Sequence, residues 1–255
     1  VHAYAKKNGI AVLGDMPMFV AHNSADCWAH QELFQLDDAG NPTAVAGVPP
    51  DYFCEDGQLW GNPLYDYEAM KQTGYAWWIE RMRHMMRLVD EIRIDHFRGF
   101  ASYWSVPADA KTAKTGQWIQ GPGKELFQSV YQALGHVPLV AEDLGLITDD
   151  VYALKDSLQL PGMKVLHFHM KERNDGRYTL DTEPNCLAYT GTHDNNTSRG
   201  WYEEELTPME QAQLRQTLHL SDNAKSQDVV KALVAYVYSR QAETVIIPMQ
   251  DALAL

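Results

Sequence analysis

Residues 91–95 read Glu91-Ile92-Arg93-Ile94-Asp95 (EIRID), a short run with alternating apolar residues that ends on a carboxylate. Side chains alternate across a strand, so Arg93 and Asp95 are expected on one face. Immediately upstream, Tyr75, Trp78, Ile79, Met82, Met86 and Val89 fall at i, i+3, i+4, i+7, i+11 and i+14. That spacing is one stripe of a helix. A helix followed by a strand that ends on an acid is the unit from which the rest of the chain can be read.

Working outward, five further runs read as strands: IAVLGD (10–15), PLVAE (138–142), KVLHF (164–168), CLAYT (186–190) and TVIIP (244–248). Between them, Leu126, Phe127, Val130, Tyr131 and Leu134 form a second helical stripe. A third helix opens at Thr207-Pro208-Met209-Glu210, a capping box with Pro at the first helical position. Ser226 is expected to cap a fourth, buried through Val230, Leu233, Val234 and Val237. Strands alternating with helices predict an α/β fold with a parallel sheet. The economical form is an incomplete (β/α)8 TIM barrel of about six βα units. Residues 20–70 are expected to be a long loop or subdomain inserted in a single catalytic domain spanning 1–255. Because it starts at Val1, in what reads as a helix already under way, the chain is expected to be a fragment.

The composition sets bounds. With 255 residues, 45% of them hydrophobic, the chain can bury a full core. No apolar run approaches the roughly 18 residues a membrane span needs, and no secretory leader is expected. The formal charge is −13, from 21 basic and 34 acidic residues. Such a surface repels phosphate backbones and anionic lipid, which argues against nucleic acid and membranes as partners. A neutral substrate such as a sugar is not penalised. Cys27, Cys54 and Cys186 are odd in number and widely spaced, a pattern of reduced thiols in a cytoplasm.

Catalytic residues of TIM barrels collect at the C-terminal ends of the strands. Asp15, Asp95 and Glu142 each end a strand-like run, and Asp194 follows another within a few residues. Any one of them alone reads equally well as a loop acid or a helix cap; four converging on one mouth do not. A cation about 4–6 Å away keeps a carboxylate ionised, so Arg93 suits Asp95 to the part of a nucleophile. The apolar strand before Glu142 is expected to desolvate it and raise its pKa, as a general acid requires. Two such groups about 5–5.5 Å apart would form a retaining pair. Asp143 is expected to point away and to serve the structure.

Two weaker constellations stand beside these acids. His167 and His169 form an HxH pair, expected on one face of a strand, and His96 and His193 could complete a metal set. Ordinary packing or substrate contact is the better reading, so neither a metal nor another cofactor is expected. Tyr52, Phe53, Trp60, Tyr65 and Tyr67 crowd the Gly/Pro-rich stretch GVPPDYFCEDGQLWGNPLYDY (47–67). They fit stacking against sugar rings, or else an aromatic minicore holding a long loop together.

Six blocks, in order over essentially the whole chain, carry a resemblance. They are GDMPMFVA (14–21), GVPPDYF with GQLWGNPLYDY (47–67), EIRIDHFRGFASYW (91–104), AEDLG (141–145), PGMKVLHF (161–168) and YTGTHDNNTSRGW (189–201). Together they resemble the amylomaltases, the 4-α-glucanotransferases of glycoside hydrolase family 77 in the α-amylase superfamily. The resemblance implies Asp95 as nucleophile, Glu142 as general acid/base and Asp194 as the carboxylate that stabilises the transition state. It implies substrate-binding roles for Asp15, Arg93, His96 and His193, and for Asp51, Gln58 and Trp60 on a loop that closes over glucan. It further implies cytosolic action on maltodextrins without cofactor, and makes the chain the third to eighth strands of the barrel. Ser105, Asn196 and Cys54 depart from the pattern, where Glu, Asp and Ser are commoner. Hydrolysis of the α-amylase type is the near alternative reading; a glycan-binding remnant without catalysis is the more distant one.

Overall fold

The computed structural model describes residues 1–50, 54–172 and 178–255. It divides into two compact units, Val1–Leu160 and Pro161–Leu255.

The first unit contains β1 (Leu13–Pro17), β2 (Ala44–Val48), β3 (Gln58–Pro63), β4 (Glu91–Asp95), β5 (Ser102–Pro107), β6 (Gln117–Gln120) and β7 (Leu139–Ala141). They form a parallel sheet, β1-β4-β7, and an antiparallel one, β3-β2-β5-β6. Parallel neighbours need long crossovers, and the two expected stripes supply helices for them, Ala76–Met85 and Gly123–Leu134. Trp78 and Met82 of the first, and Leu126, Phe127 and Val130 of the second, are fully buried. Tyr75 is buried too, but it stands before its helix in a left-handed conformation (φ 59°). A chain of rings runs through this core: Tyr65 to Trp78 (5.4 Å), Trp78 to Phe100 (5.1 Å) and Phe100 to Phe127 (5.0 Å).

Two details differ from expectation here. The run IAVLGD does not end a strand at Asp15. Pairing with β4 begins at Leu13↔Glu91 and continues to Pro17↔Asp95, so Asp15 lies mid-strand, opposite Arg93. The antiparallel sheet also pairs β2 with β3 and with residues 102–107, which pair in turn with 117–120, a region (102–120) to which the sequence reading gives no element. Gly47 lets β2 and β3 close up, since a Cβ there would collide with the carbonyl of Gln58.

The second unit contains β8 (Gly162–Val165), β9 (Met170–Glu172), β10 (Tyr178–Leu180), β11 (Cys186–Tyr189) and β12 (Thr244–Ile246). Its parallel sheet runs β12-β11-β8, and β9 and β10 form an antiparallel pair. The helix Pro208–Thr217 opens with the expected capping box. The helix Ser226–Tyr238 buries Val229, Val230, Leu233 and Val237, with Val234 half-buried. Ser226 does not cap it: Lys225 holds that position, and the Ser226 hydroxyl engages Glu203 instead. The run KVLHF is a strand only as far as Val165; Leu166–His169 is a helical turn. Residues two apart on a helix point to different sides, so His167 and His169 do not share a strand face. Among the described residues, no helix is long and apolar enough to cross a membrane.

Candidate active site

In the first unit, register does the first part of the assembly. Asp15 faces Arg93 across the β1–β4 ladder, and Asp95 lies two residues further along the same face. Arg93 is buried, and its guanidinium spans both acids: Nη1 donates to Asp15 (2.7 Å) and Nη2 to Asp95 (2.9 Å). Burial works against the charge on Arg93. The bond and attraction to Asp15, with the charges of Asp95 and Glu142, more than offset it and hold its pKa above the ordinary value. The two aspartates themselves are about half-exposed, open to a ligand.

Glu142 is the first residue beyond β7. Its backbone is clamped to the neighbouring strand: its N–H donates to the Ile94 carbonyl (3.0 Å), and its carbonyl accepts from Phe97 (3.2 Å). Each carboxyl oxygen accepts one backbone N–H, from Leu144 (2.8 Å) and from His96 (2.8 Å). Burial pushes the Glu142 carboxyl up to about 7. The two N–H donors and Arg93 oppose that rise, while Asp95 adds to it. The expectation of a desolvated acid beside an arginine-tied carboxylate is therefore met.

The N–H of His96 reaches Glu142 from a left-handed backbone conformation (φ 54°), costly for a residue with a side chain. Burial, with the nearby charge of Arg98, lowers the His96 imidazole pKa to about 3, so the ring is neutral. The ring meets Trp60 edge-on (4.7 Å between centroids, 81°) and approaches Phe19 (6.2 Å). Trp60 and Gln58 both lie on β3, and Trp60 Nε1 donates to Gln58 Oε1 (3.1 Å). Trp60 remains 38% exposed, enough to offer a ring face. Tyr65 does not: it is buried, and its hydroxyl donates to the Met18 carbonyl (2.7 Å). Tyr65 and Tyr67 pack together (5.7 Å), so the minicore reading holds for them. Asp143 turns to Lys155 (2.9 Å) in the buried interior, as expected. Asp51, Tyr52 and Phe53 lie outside the described residues.

In the second unit, His193 and Asp194 project from the loop after β11, both about two-thirds exposed, with His193 Nε2 3.5 Å from Asp194 Oδ2. The loop is shaped by its own side chains. Asn195 Oδ1 accepts from the N–H (2.9 Å) and hydroxyl (3.0 Å) of Thr192. Beneath it, buried Asp251 accepts from the hydroxyls of Thr190 (2.6 Å) and Ser198 (2.7 Å). His167 stacks on Trp201 (4.7 Å, 14°), with Nε2 3.0 Å from Ser198 Oγ, and His169 Nδ1 lies 3.0 Å from the Val165 nitrogen. Among the described residues, no three His, Cys, Asp or Glu side chains gather as a metal site.

The first unit thus brings together Asp15, Arg93, Asp95, His96 and Glu142, with Trp60 at the edge. Sequence reasoning missed Phe19 and the two backbone donors to Glu142. Phe19 stands in the block GDMPMFVA, which could have pointed to it; a backbone N–H carries no sequence signal. Chemically, the set offers a carboxyl that can give up and retrieve a proton near neutrality, and beside it a carboxylate held in place by a cation.

The sequence profile of glycoside hydrolase family 77, described as 4-alpha-glucanotransferase, matches residues 1–255. A 4-alpha-glucanotransferase of Solanum tuberosum, chloroplastic/amyloplastic, is 44% identical over 256 residues, covering 100% of this chain and 44% of its own. One from Synechocystis sp. is 46% identical over 259 residues, covering 100% and 50%. The solved structure of amylomaltase from Streptococcus agalactiae in complex with acarbose superposes with a TM-score of 0.90 at 37% identity, over 98% of this chain and 50% of that one. The α/β fold described above is therefore that of an amylomaltase. The chain spans about half the length of the curated relatives it matches.

Proposed function

The chain belongs to glycoside hydrolase family 77, the 4-alpha-glucanotransferases, and from that premise we propose that it carries the chemistry of moving α-1,4-glucan segments between maltodextrins. The observation that supports this best is the carboxyl of Glu142, raised to about 7 beside an Asp95 tied to Arg93.

In this reading Asp95 attacks the anomeric carbon of an α-1,4-linked glucose while Glu142 protonates the leaving 4-oxygen. A covalent glucosyl-enzyme forms. Glu142, now a carboxylate, takes the proton of an incoming glucan 4-hydroxyl, which displaces Asp95 with net retention. By resemblance to the family, Asp194 is given the part of stabilising the transition state, and Arg93, Asp15, His96 and His193 that of binding substrate. Trp60 and Gln58 cover it and keep water out, which favours a sugar acceptor over water; Asp51, given the same part by the resemblance, lies outside the described residues. The scheme uses no metal and no organic cofactor. Reading residues 1–255 as one catalytic domain, an incomplete (β/α)8 barrel with residues 20–70 inserted, belongs to the same proposal. Its support is a family match over the whole chain.

Maltooligosaccharides are the proposed ligands, in keeping with the acarbose complex of the Streptococcus agalactiae relative. The formal charge of −13 argues against nucleic acid or membrane partners. The spacing of the three cysteines supports a reducing compartment such as the cytoplasm. Incubation with maltotriose, followed by chromatography, tests the function. Longer dextrins together with glucose are expected; maltose and glucose alone would mean hydrolysis, and no change would mean binding without catalysis.

A further inference from the structure

Glu142 takes its two carboxyl hydrogen bonds from two different loops. His96 belongs to the turn after β4, which continues as a short 3-10 helix, Phe97–Phe100. Leu144 belongs to the segment after β7. Arg98 stands on that 3-10 helix, buried between Phe97 and Phe100. Its Nη1 donates to the carbonyl of Leu146, two residues beyond Leu144. Between those two, Gly145 adopts φ +79°, a left-handed conformation that costs glycine little and other residues more. Arg98 is fixed in turn: Nη2 donates to Ser102 Oγ (3.3 Å), which donates to Asp150 (3.2 Å), and the guanidinium lies 4.0 Å over the Trp118 ring on β6. Ring and cation attract at that distance.

We propose that Arg98 is a positioning residue for Glu142: its guanidinium cross-ties the two loops whose backbone N–H groups grip the carboxyl. This deepens the function proposed above and rests on Glu142 being its acid/base. The effect passes through the backbone, since Arg98 reaches Leu146 and not Glu142 itself. Within its unit, the charged or titratable groups about Glu142 are Asp95 and Arg93 on β4 and His96 on the following turn; Asp143, its neighbour in sequence, is turned to Lys155. Both N–H donors favour the charged carboxylate, in opposition to burial. Slackening either loop therefore leaves burial less opposed, and the carboxyl should hold its proton to higher pH.

The test is a carboxyl titration of the full chain labelled with ¹³C-glutamate, with the Glu142 resonance identified by its absence in Glu142→Gln. Arg98→Met should move the midpoint upward by about one pH unit and speed exchange of the Leu144 amide. Arg98→Lys, which keeps a cation and a donor, should move it less. Ser102→Ala removes one of the side-chain contacts of Arg98 and leaves the core intact, so it should shift the midpoint in the same direction by the smallest amount. An unchanged or lowered midpoint in Ser102→Ala and in whichever Arg98 variants fold would overturn the proposal. The readout does not depend on turnover. Loss of the acid/base reading would show separately, as maltotriose disproportionation that survives Glu142→Gln.

Discussion

The carboxyl of Glu142 and that of Asp194 are held in opposite ways, one in each unit. Glu142 is buried, pinned at both oxygens by backbone donors, and sits within reach of an Asp–Arg–Asp set. Asp194 is two-thirds exposed on a loop whose shape comes from Thr192 and Asn195. The first arrangement fixes a protonation state; the second fixes a loop and leaves its acid free to meet a ligand. Acid–base work needs a tuned pKa, whereas stabilising developing positive charge needs only a carboxylate that stays charged. The contrast in environment is the one that the two proposed roles require.

Substitutions can break or sharpen that contrast, each read by maltotriose disproportionation. The largest loss is expected from Asp95→Asn, which keeps the bond to Arg93 but removes the nucleophile: about four orders of magnitude or more in kcat. Glu142→Gln follows, at about 10²–10⁴-fold, and the alkaline limb of the pH profile, expected near 7, should disappear with it. Asp194→Asn should cost roughly 10²-fold, through weaker stabilisation of the transition state. A loss as large as that of Asp95→Asn would show that the exposed acid is more than an electrostatic partner.

A smaller effect bears on stability. The folded chain holds the Glu142 proton up to about 7, against an ordinary value of 4.5. Its contribution is therefore complete below about pH 4.5 and is lost as pH rises through 7. Glu142→Gln stays neutral throughout. Compared with wild type, it should gain on the order of 1–3 kcal/mol between pH 4 and pH 8, measured by urea denaturation. No gain would mean that the carboxyl is not held protonated. The smallest effect is expected from Asn195→Ala. It removes the acceptor that shapes the Asp194 loop, and a few-fold rise in KM with little change in kcat is predicted.

How much of this was legible in the sequence depended on how local the cause was. EIRID and the capping box at Thr207 read correctly because alternation and side-chain capping are properties of four or five consecutive residues. Asp15 read as a strand end, yet lies mid-strand, because the ladder with β4 sets where β1 begins and stops. The strands 102–107 and 117–120 went unread because they are short and depend on each other and on distant pairing: 102–107 pairs with β2, more than 50 residues upstream, and 117–120 pairs only with 102–107. KVLHF read as strand throughout because it is rich in apolar and aromatic residues, while beyond Val165 His169 turns back on Val165 and the chain coils. The environments of Asp95 and Glu142, one tied to an arginine and the other desolvated, were legible from Arg93 and from the apolar strand PLVA. The donors that grip Glu142 were not, because a backbone N–H is the same whichever residue carries it.

The guanidinium shared by Asp15 and Asp95 has an electrical consequence for the reaction cycle. With Glu142 protonated, the resting constellation of Asp15, Arg93, Asp95 and Glu142 carries one surplus negative charge. In the proposed cycle, once Asp95 is esterified by a glucosyl group and Glu142 has given up its proton, the count is again minus one, with the surplus moved from the neighbourhood of Asp95 to Glu142. The constellation behaves as a charge shuttle of constant total, so no ion need enter or leave as the two half-reactions alternate.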